Sequence, residues 1–209
     1  GSFGGELPRY WETDPSAQSG LRKYSESVDS LPGSNNIVDI IYAPPEVWAA
    51  TGKGPSRLIQ PGDQWTTYDT TDGLPSIEIP ALAVFPNGVW TATSFTEVRE
   101  GRLVTWGDGL YRFNDAGETW ERRTPAGDQA SGPFQVAYDL TYFRGRVLAA
   151  CFAGGLVSSS DDGQSWTNIY ADNTARSDFE NEFYNDLNNR YFAAIVDSTR
   201  PESLAVWAG

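Results

Sequence analysis

Ile79-Pro80-Ala81-Leu82-Ala83-Val84-Phe85, a Pro86-Asn87-Gly88 turn, then Val89-Trp90-Thr91-Ala92-Thr93 is the stretch on which the fold is decided. Two short runs of β-branched, aromatic and small apolar residues flank a Pro/Asn/Gly turn, the pattern of two antiparallel strands joined tightly. The same unit occurs earlier, as Ile37-Val38-Asp39-Ile40-Ile41-Tyr42, a Pro-containing turn and Val47-Trp48-Ala49-Ala50-Thr51. A third copy runs from Val136 through Tyr142, turns at Arg144-Gly145-Arg146 and continues as Val147-Leu148-Ala149-Ala150-Cys151. A fourth runs from Tyr191 to Val196, turns around Pro201 and ends as Leu204-Ala205-Val206-Trp207-Ala208-Gly209. Each of the first three is followed by a second pair. Arg57-Leu58-Ile59, Gly109-Leu110-Tyr111-Arg112-Phe113 and Gly155-Leu156-Val157-Ser158 lead through a turn to strands opening at Trp65, Trp120 and Trp166.

Four short antiparallel strands per repeat, each sheet burying both faces against its neighbours, is the pattern of a β-propeller blade. The sequence therefore predicts an all-β fold with about four such blades, residues 1–209 forming one propeller domain or a propeller segment. Trp48 and Trp90 are expected at equivalent second-strand positions, and Trp120 and Trp166 at equivalent fourth-strand positions. Phe3-Gly4-Gly5 aligns with Phe152-Ala153-Gly154-Gly155, and Pro8-Arg9-Tyr10-Trp11 and Leu21-Arg22-Lys23-Tyr24 read as third and fourth strands. Residues Phe3 to Tyr24 are thus expected to complete the blade begun by Tyr191–Val196 and Leu204–Trp207. The alternatives are a segment of a larger propeller and a ring shared with another chain.

Composition narrows the chemistry. The 209 residues carry 15 basic and 28 acidic side chains, a net charge of −13 that repels phosphate backbones and anionic lipid headgroups. Nucleic acid is excluded as the expected partner. The sequence has no His and one Cys, so neither Ser-His-Asp nor Cys-His catalysis, an intrachain disulfide or a His/Cys zinc site can be built. No apolar run approaches the ~20 residues that span a bilayer, and no membrane insertion is expected. The first residues do not read as a signal peptide, and the absence of Met reads as a processed chain or an excised segment.

Two turns carry a recognisable motif: Phe113-Asn114-Asp115-Ala116-Gly117-Glu118-Thr119-Trp120 and Ser159-Ser160-Asp161-Asp162-Gly163-Gln164-Ser165-Trp166. They resemble the Asp box, S-x-D-x-G-x-T-W, of sialidases, sortilin-type receptors and related propellers with BNR-type repeats. The local logic is an Asp accepting backbone N–H groups across a tight turn, a Gly permitting φ > 0, and a Trp packing between blades. Asp115, Gly117, Trp120, Asp161, Gly163 and Trp166 are therefore assigned to structure and not to catalysis. Phe113 replaces the usual Ser or Thr, and Gln60-Pro61-Gly62-Asp63-Gln64-Trp65 is a degenerate copy. The stretch from Trp65 through Tyr68 and Gly73-Leu74-Pro75 resembles the two-component-regulator propeller repeat, and Tyr24 to Leu31-Pro32 echoes it. The join from Asp197 through Gly209 to Ser2-Phe3-Gly4-Gly5 is similar to propellers of Bacteroidota surface proteins, including the type IX secretion component PorZ. These resemblances imply a bacterial protein of the periplasm, cell surface or extracellular space.

Function in propellers sits on loops between second and third strands and between blades. The longest such loop is expected over Ser94 to Asp108, with Glu97, Arg99, Arg102 and Trp106 as candidate ligand contacts; Lys53 and Phe152, with Phe3, occupy the corresponding loops. Trp106 beside mixed charges suits stacking on a sugar ring or peptide side chain. A non-catalytic binding, sensing or scaffold role toward a protein or carbohydrate follows, with no cofactor. The enzymatic alternative is an Asp-box glycoside hydrolase or lyase pairing Glu97 or Glu100 with Asp69 or Asp72, one carboxyl having a raised pKa. Between Asp172 and Arg190, Asp178, Glu180, Glu182 and Asp186 interleave with Phe179, Phe183 and Leu187 as in a short amphipathic helix capped by Ser177, a calcium site being the sharper alternative. Cys151, in an apolar strand, reads as a buried thiol.

Overall fold

A computed structural model describes residues 32–124, 136–152, 155–169, 191–197 and 205–208. Within them the chain is all-β. The first sheet is built from β1 (Ile37–Ala43), β2 (Glu46–Thr51), β3 (Gly54–Ile59) and β4 (Trp65–Thr67). The second comprises β5 (Glu78–Phe85), β6 (Gly88–Arg99), β7 (Arg102–Asn114) and β8 (Thr119–Arg122). The third comprises β9 (Ala137–Phe143), β10 (Arg146–Cys151), β11 (Gly155–Ser159) and β12 (Thr167–Ile169), and a hairpin of β13 (Ala194–Asp197) and β14 (Ala205–Ala208) follows. Every sheet is an antiparallel meander in chain order. Residues 3–24 and 172–190, with the end-pairing and the amphipathic helix expected there, lie outside the described residues.

Two-residue turns join the first strand pairs. At Arg144-Gly145 both residues have positive φ (48° and 81°), the backbone that matches the twist of a tight hairpin and favours Gly at the second position. The central residues of the second strands are buried on both faces and not alternately: Trp48, Ala49, Ala50 and Thr51 are all essentially inaccessible. One face of β2, bearing Trp48 and Ala50, packs with Leu74, Ile79, Leu82 and Trp120 of the second sheet and its approach. Trp90 and Ala92 of β6 likewise pack against Leu140, Val147 and Ala149 of the third sheet. Leu148 and Ala150 of β10 meet Ala194 of the hairpin.

The registers repeat. Trp48 lies opposite Ile41 and Arg57, and Trp90 opposite Ala83 and Arg112. Leu148 takes the same place opposite Thr141 and Ser158. On the fourth strands Trp65 faces Leu58 and Trp120 faces Phe113. Thr167 faces Ser158, which puts Trp166 beside Ser159, the counterpart of Phe113. Trp48 and Trp90 thus occupy equivalent second-strand positions, as expected, whereas of the other pair Trp120 lies within β8 and Trp166 immediately precedes β12.

The expected loop at Ser94 to Asp108 is instead a ribbon. β6 continues to Arg99, β7 starts at Arg102, and the two stay paired from Phe95↔Trp106 to Arg99↔Arg102. Glu100 and Gly101, both with positive φ (52° and 76°), form the turn, and the β-branched Thr96, Val98, Val104 and Thr105 favour the extended arms.

Candidate functional site

The two motif turns lie at one end of the sheets and are closed differently. In the third sheet Asp161 accepts from Ser165 N (2.9 Å), Ser165 Oγ (2.5 Å) and Ser159 Oγ (2.8 Å), while Gly163 N donates to Ser159 Oγ (2.8 Å). Gly163 has φ 80°, and a Cβ there would sit 2.5 Å from the Arg123 carbonyl oxygen of the second sheet. Trp166 Nε1 donates to that same oxygen (2.9 Å), so this turn fastens two sheets together.

In the second sheet Phe113 has no hydroxyl to play the part of Ser159. Asn114 Oδ1 takes the Ala116 N–H (3.0 Å), Asp115 swings out to Arg57 of the first sheet (2.9 Å), and Gly117 lacks a positive φ. The expectation that Asp115 spans its own turn and that Gly117 supplies the left-handed residue is corrected accordingly. Trp120 is buried between the first two sheets. Arg112 reaches Asp162 of the third sheet (2.5 Å), a second sheet-to-sheet ion pair from the residue opposite a second-strand Trp.

The hydroxyls and N–H of Ser165, with the Ser159 hydroxyl, hold the Asp161 carboxyl at about 2. A carboxyl with a depressed folded pKa adds stability above its unfolded pKa of about 4 that disappears as pH falls toward 2. Asp161→Ala is therefore expected to lower the melting temperature at neutral pH and to flatten the acid limb of the stability curve between pH 4 and about 2, measured by thermal melts across that range. An acid limb identical to that of the unsubstituted chain would refute the assignment.

The opposite end, where second strands run into third strands, repeats in backbone and differs in chemistry. In the first sheet the connection is only Gly52-Lys53, with Lys53 exposed and its N–H donating to Thr51 Oγ1 (3.2 Å). In the second sheet it is the ribbon. By register, Phe95 and Glu97 share one face with Trp106 and Val104 opposite them, Val98 with Leu103 takes the other face, and Arg99 pairs with Arg102 beside the turn. Val98 and Leu103 are 70% and 77% exposed, an apolar pair at the tip. Thr96 Oγ1 donates to Glu78 Oε2 (3.1 Å), tying the ribbon's base to β5.

In the third sheet the connection starts with Phe152. Its ring lies 6.3 Å from Tyr138 and 5.9 Å from Phe192, and those two are 5.3 Å apart. Tyr138 and Phe192 are 38% and 53% exposed, so the three rings make a partly open, non-coplanar aromatic surface. Sequence reasoning reached Phe152 and missed Tyr138 and Phe192, which come from the start of β9 and from the residues just before β13 and meet only through the stacking of sheets. Cys151 is buried and its thiol is pushed up to about 12, which leaves it protonated and inert.

Asp69 and Asp72 also lie at this end. Asp69 Oδ1 accepts from Thr71 N (2.7 Å) and Thr71 Oγ1 (2.8 Å), Asp72 Oδ2 accepts from Asp69 N (2.8 Å), and the pair caps a 3-10 turn at Thr70–Asp72. The Thr71 bonds pull the Asp69 carboxyl below its ordinary value, opposite to what a general acid requires. Among the described residues the carboxyl that is raised is Asp139, lifted by burial and by the charge of Asp39. Its bonds to Ala194 N (2.8 Å) and Leu140 N (2.8 Å) commit it to joining β9 and β13.

No protein-family model matches the sequence, and no curated protein is significantly similar to it. The chain superposes on part of the extracellular domain of the hybrid two-component system BT3049 from B. thetaiotaomicron, with TM-score 0.56 and 15% identity over 88% of the chain. The shared property is the fold. The chain spans 23% of that domain's length. The extracellular domain of a second B. thetaiotaomicron hybrid two-component system, BT4673, aligns at TM-score 0.39 and 13% identity, over 83% of this chain and 26% of its own. That second match is too distant to bear on the architecture. Among the described residues, no helix is long and apolar enough to cross a membrane.

Proposed function

We propose that the chain is a set of β-propeller blades from an exported bacterial protein, and that it binds a protein or carbohydrate ligand without catalysis at the end bearing the ribbon. The observation that carries this reading is the contrast between framework and connections. Three sheets repeat one register, yet their second-to-third-strand connections are a bare lysine turn, a long ribbon and an aromatic cluster. A constant scaffold with divergent loops at one end is how binding folds acquire a site. Within it the ribbon would offer Glu97, Arg99, Arg102 and Trp106, and the aromatic cluster would offer Phe152 with Tyr138 and Phe192; Lys53 adds a cation from the first sheet. Export is supported by likeness to an extracellular domain and by the repeat resemblance. A carboxylate pair for glycoside cleavage finds no support in Asp69, which is engaged as an ionised acceptor.

The test is binding to immobilised glycan and peptide arrays by the intact chain, by a variant whose residues 96–105 are replaced by Asn-Gly, and by Glu118→Ala at the opposite end. Shortening the ribbon should abolish binding to the ligands the intact chain selects, and Glu118→Ala should leave it unchanged. Binding that survives the shortened ribbon, or cleavage of an arrayed glycan, would overturn the proposal.

A further inference from the structure

Asn87 is the one asparagine of the chain that a glycine follows. A glycine has no side chain to hinder the approach of its nitrogen to the preceding amide carbon, so Asn-Gly is the pair at which an asparagine amide reacts most readily with its own backbone. Pro86-Asn87 makes the two-residue turn between β5 and β6, and Gly88, at φ 121°, pairs with Phe85 across it. Asn87 is exposed, so water has access to it.

Both ends of its amide are nevertheless held. Trp90 Nε1 is a donor only and gives its hydrogen to Asn87 Oδ1 (3.1 Å), which fixes the other end of the amide as the nitrogen. Asn87 Nδ2 donates in turn to Asp162 Oδ1 of the third sheet. Asp162 is itself anchored, its other oxygen lying 2.5 Å from Arg112 and 3.5 Å from Arg123 of the second sheet. The group that departs in deamidation is therefore the one that the third sheet grips, and the attacking nitrogen belongs to a residue already paired in the ladder.

We propose that Asn87-Gly88 is a self-modification site kept unreactive by the junction of the second and third sheets, and that parting of the sheets at Asp162 starts its deamidation. The Gly88 nitrogen gives its proton to water and attacks Asn87 Cγ. The new C–N bond closes a succinimide, the Cγ–Nδ2 bond breaks, and Nδ2 takes a proton from water and leaves as ammonia. Water then opens the ring at either carbonyl, so that amide and water become carboxylate and ammonia, with aspartate or isoaspartate in the main chain. Either product opposes the junction that delayed it. Its carboxylate faces that of Asp162, and the neighbouring Arg112 and Arg123 are already shared between Asp162 and Glu121. The reaction does not reverse, so it records time spent open. The site lies among the motif turns and is independent of the ligand-binding end.

Peptide mapping by mass spectrometry, on the full chain held at mildly alkaline pH, follows conversion at Asn87 as the mass gained when NH2 becomes OH. The folded chain should convert at least about tenfold more slowly than the same chain in guanidinium chloride. Asp162→Gly removes the grip and suits the positive φ of that position (59°); it should convert nearly as fast as the denatured chain while circular dichroism shows it folded. Arg112→Gln, which loosens Asp162 without removing it, should fall between the two and keeps the test open if Asp162→Gly does not fold. Asn87→Asp, the direct product, should melt below the unsubstituted chain. Conversion of the folded chain at the denatured rate, folded variants that convert no faster than the original, or an Asn87→Asp chain that melts no lower would each overturn the inference.

Discussion

Trp90→Ala is expected to lower the unfolding free energy by about 3–5 kcal/mol, the range for deleting a fully buried large aromatic. Trp90 is 0% exposed and packs in the cluster that joins the second sheet to the third. Its ring is 5.7 Å from Phe85, and its Nε1 donates to Asn87 Oδ1 (3.1 Å). The small residues around it, Ala81, Ala83, Ala92 and Ala149, have no side-chain length with which to fill the vacated volume. Urea titration followed by Trp fluorescence and circular dichroism gives the value. Val98→Ala, at the exposed ribbon tip, serves as the comparison and should change stability by less than about 0.5 kcal/mol.

Gly163→Ala should cost at least about 2 kcal/mol, because strain and collision act together. The residue has φ 80°, and the new methyl would lie 2.5 Å from the Arg123 carbonyl oxygen and 3.1 Å from the Trp90 ring. Relief requires moving the second and third sheets apart, which also loosens the Trp166 bond to that carbonyl. Gly101→Ala separates the two causes. Its φ is 76° with nothing within 4 Å, so it should show the backbone penalty alone, about 1 kcal/mol. Equal effects of the two substitutions on the denaturation midpoint would mean that the third sheet's turn is not wedged against the second.

The strand pairs were legible because hydrophobic runs, turn residues and Trp positions recur together, and a repeated register has only one way to satisfy all three. Trp48 and Trp90 declared their equivalence this way. The ribbon was not legible as strand: Ser94 to Asp108 mixes charges with Gly101 and Gly107, which lowers the apolar contrast that marks a strand covered on both faces. Its actual signal was local, in the β-branched Thr96, Val98, Val104 and Thr105 around a Glu100-Gly101 turn. The two motif turns looked alike, yet a single residue separated them. Ser159 supplies the hydroxyl that organises Asp161, and Phe113 cannot, so Asp115 became half of an ion pair with Arg57. Of the candidate site, Lys53, the ribbon and Phe152 were placed at one end by their repeat positions. Tyr138 and Phe192 escaped because nothing in sequence spacing shows how consecutive sheets juxtapose their first strands.

Central to the proposal is a repeated scaffold that carries a ribbon as its binding element. Amide hydrogen exchange on the intact chain measures both parts at once. Pairing and burial should make residues 46–51, 88–93 and 146–151 the slowest to exchange, at similar protection, whereas residues 96–105, which among the described residues pair only with each other, should exchange far faster. Ribbon amides as protected as those of the second strands would show the ribbon covered by the protein itself and contradict its assignment as the binding element.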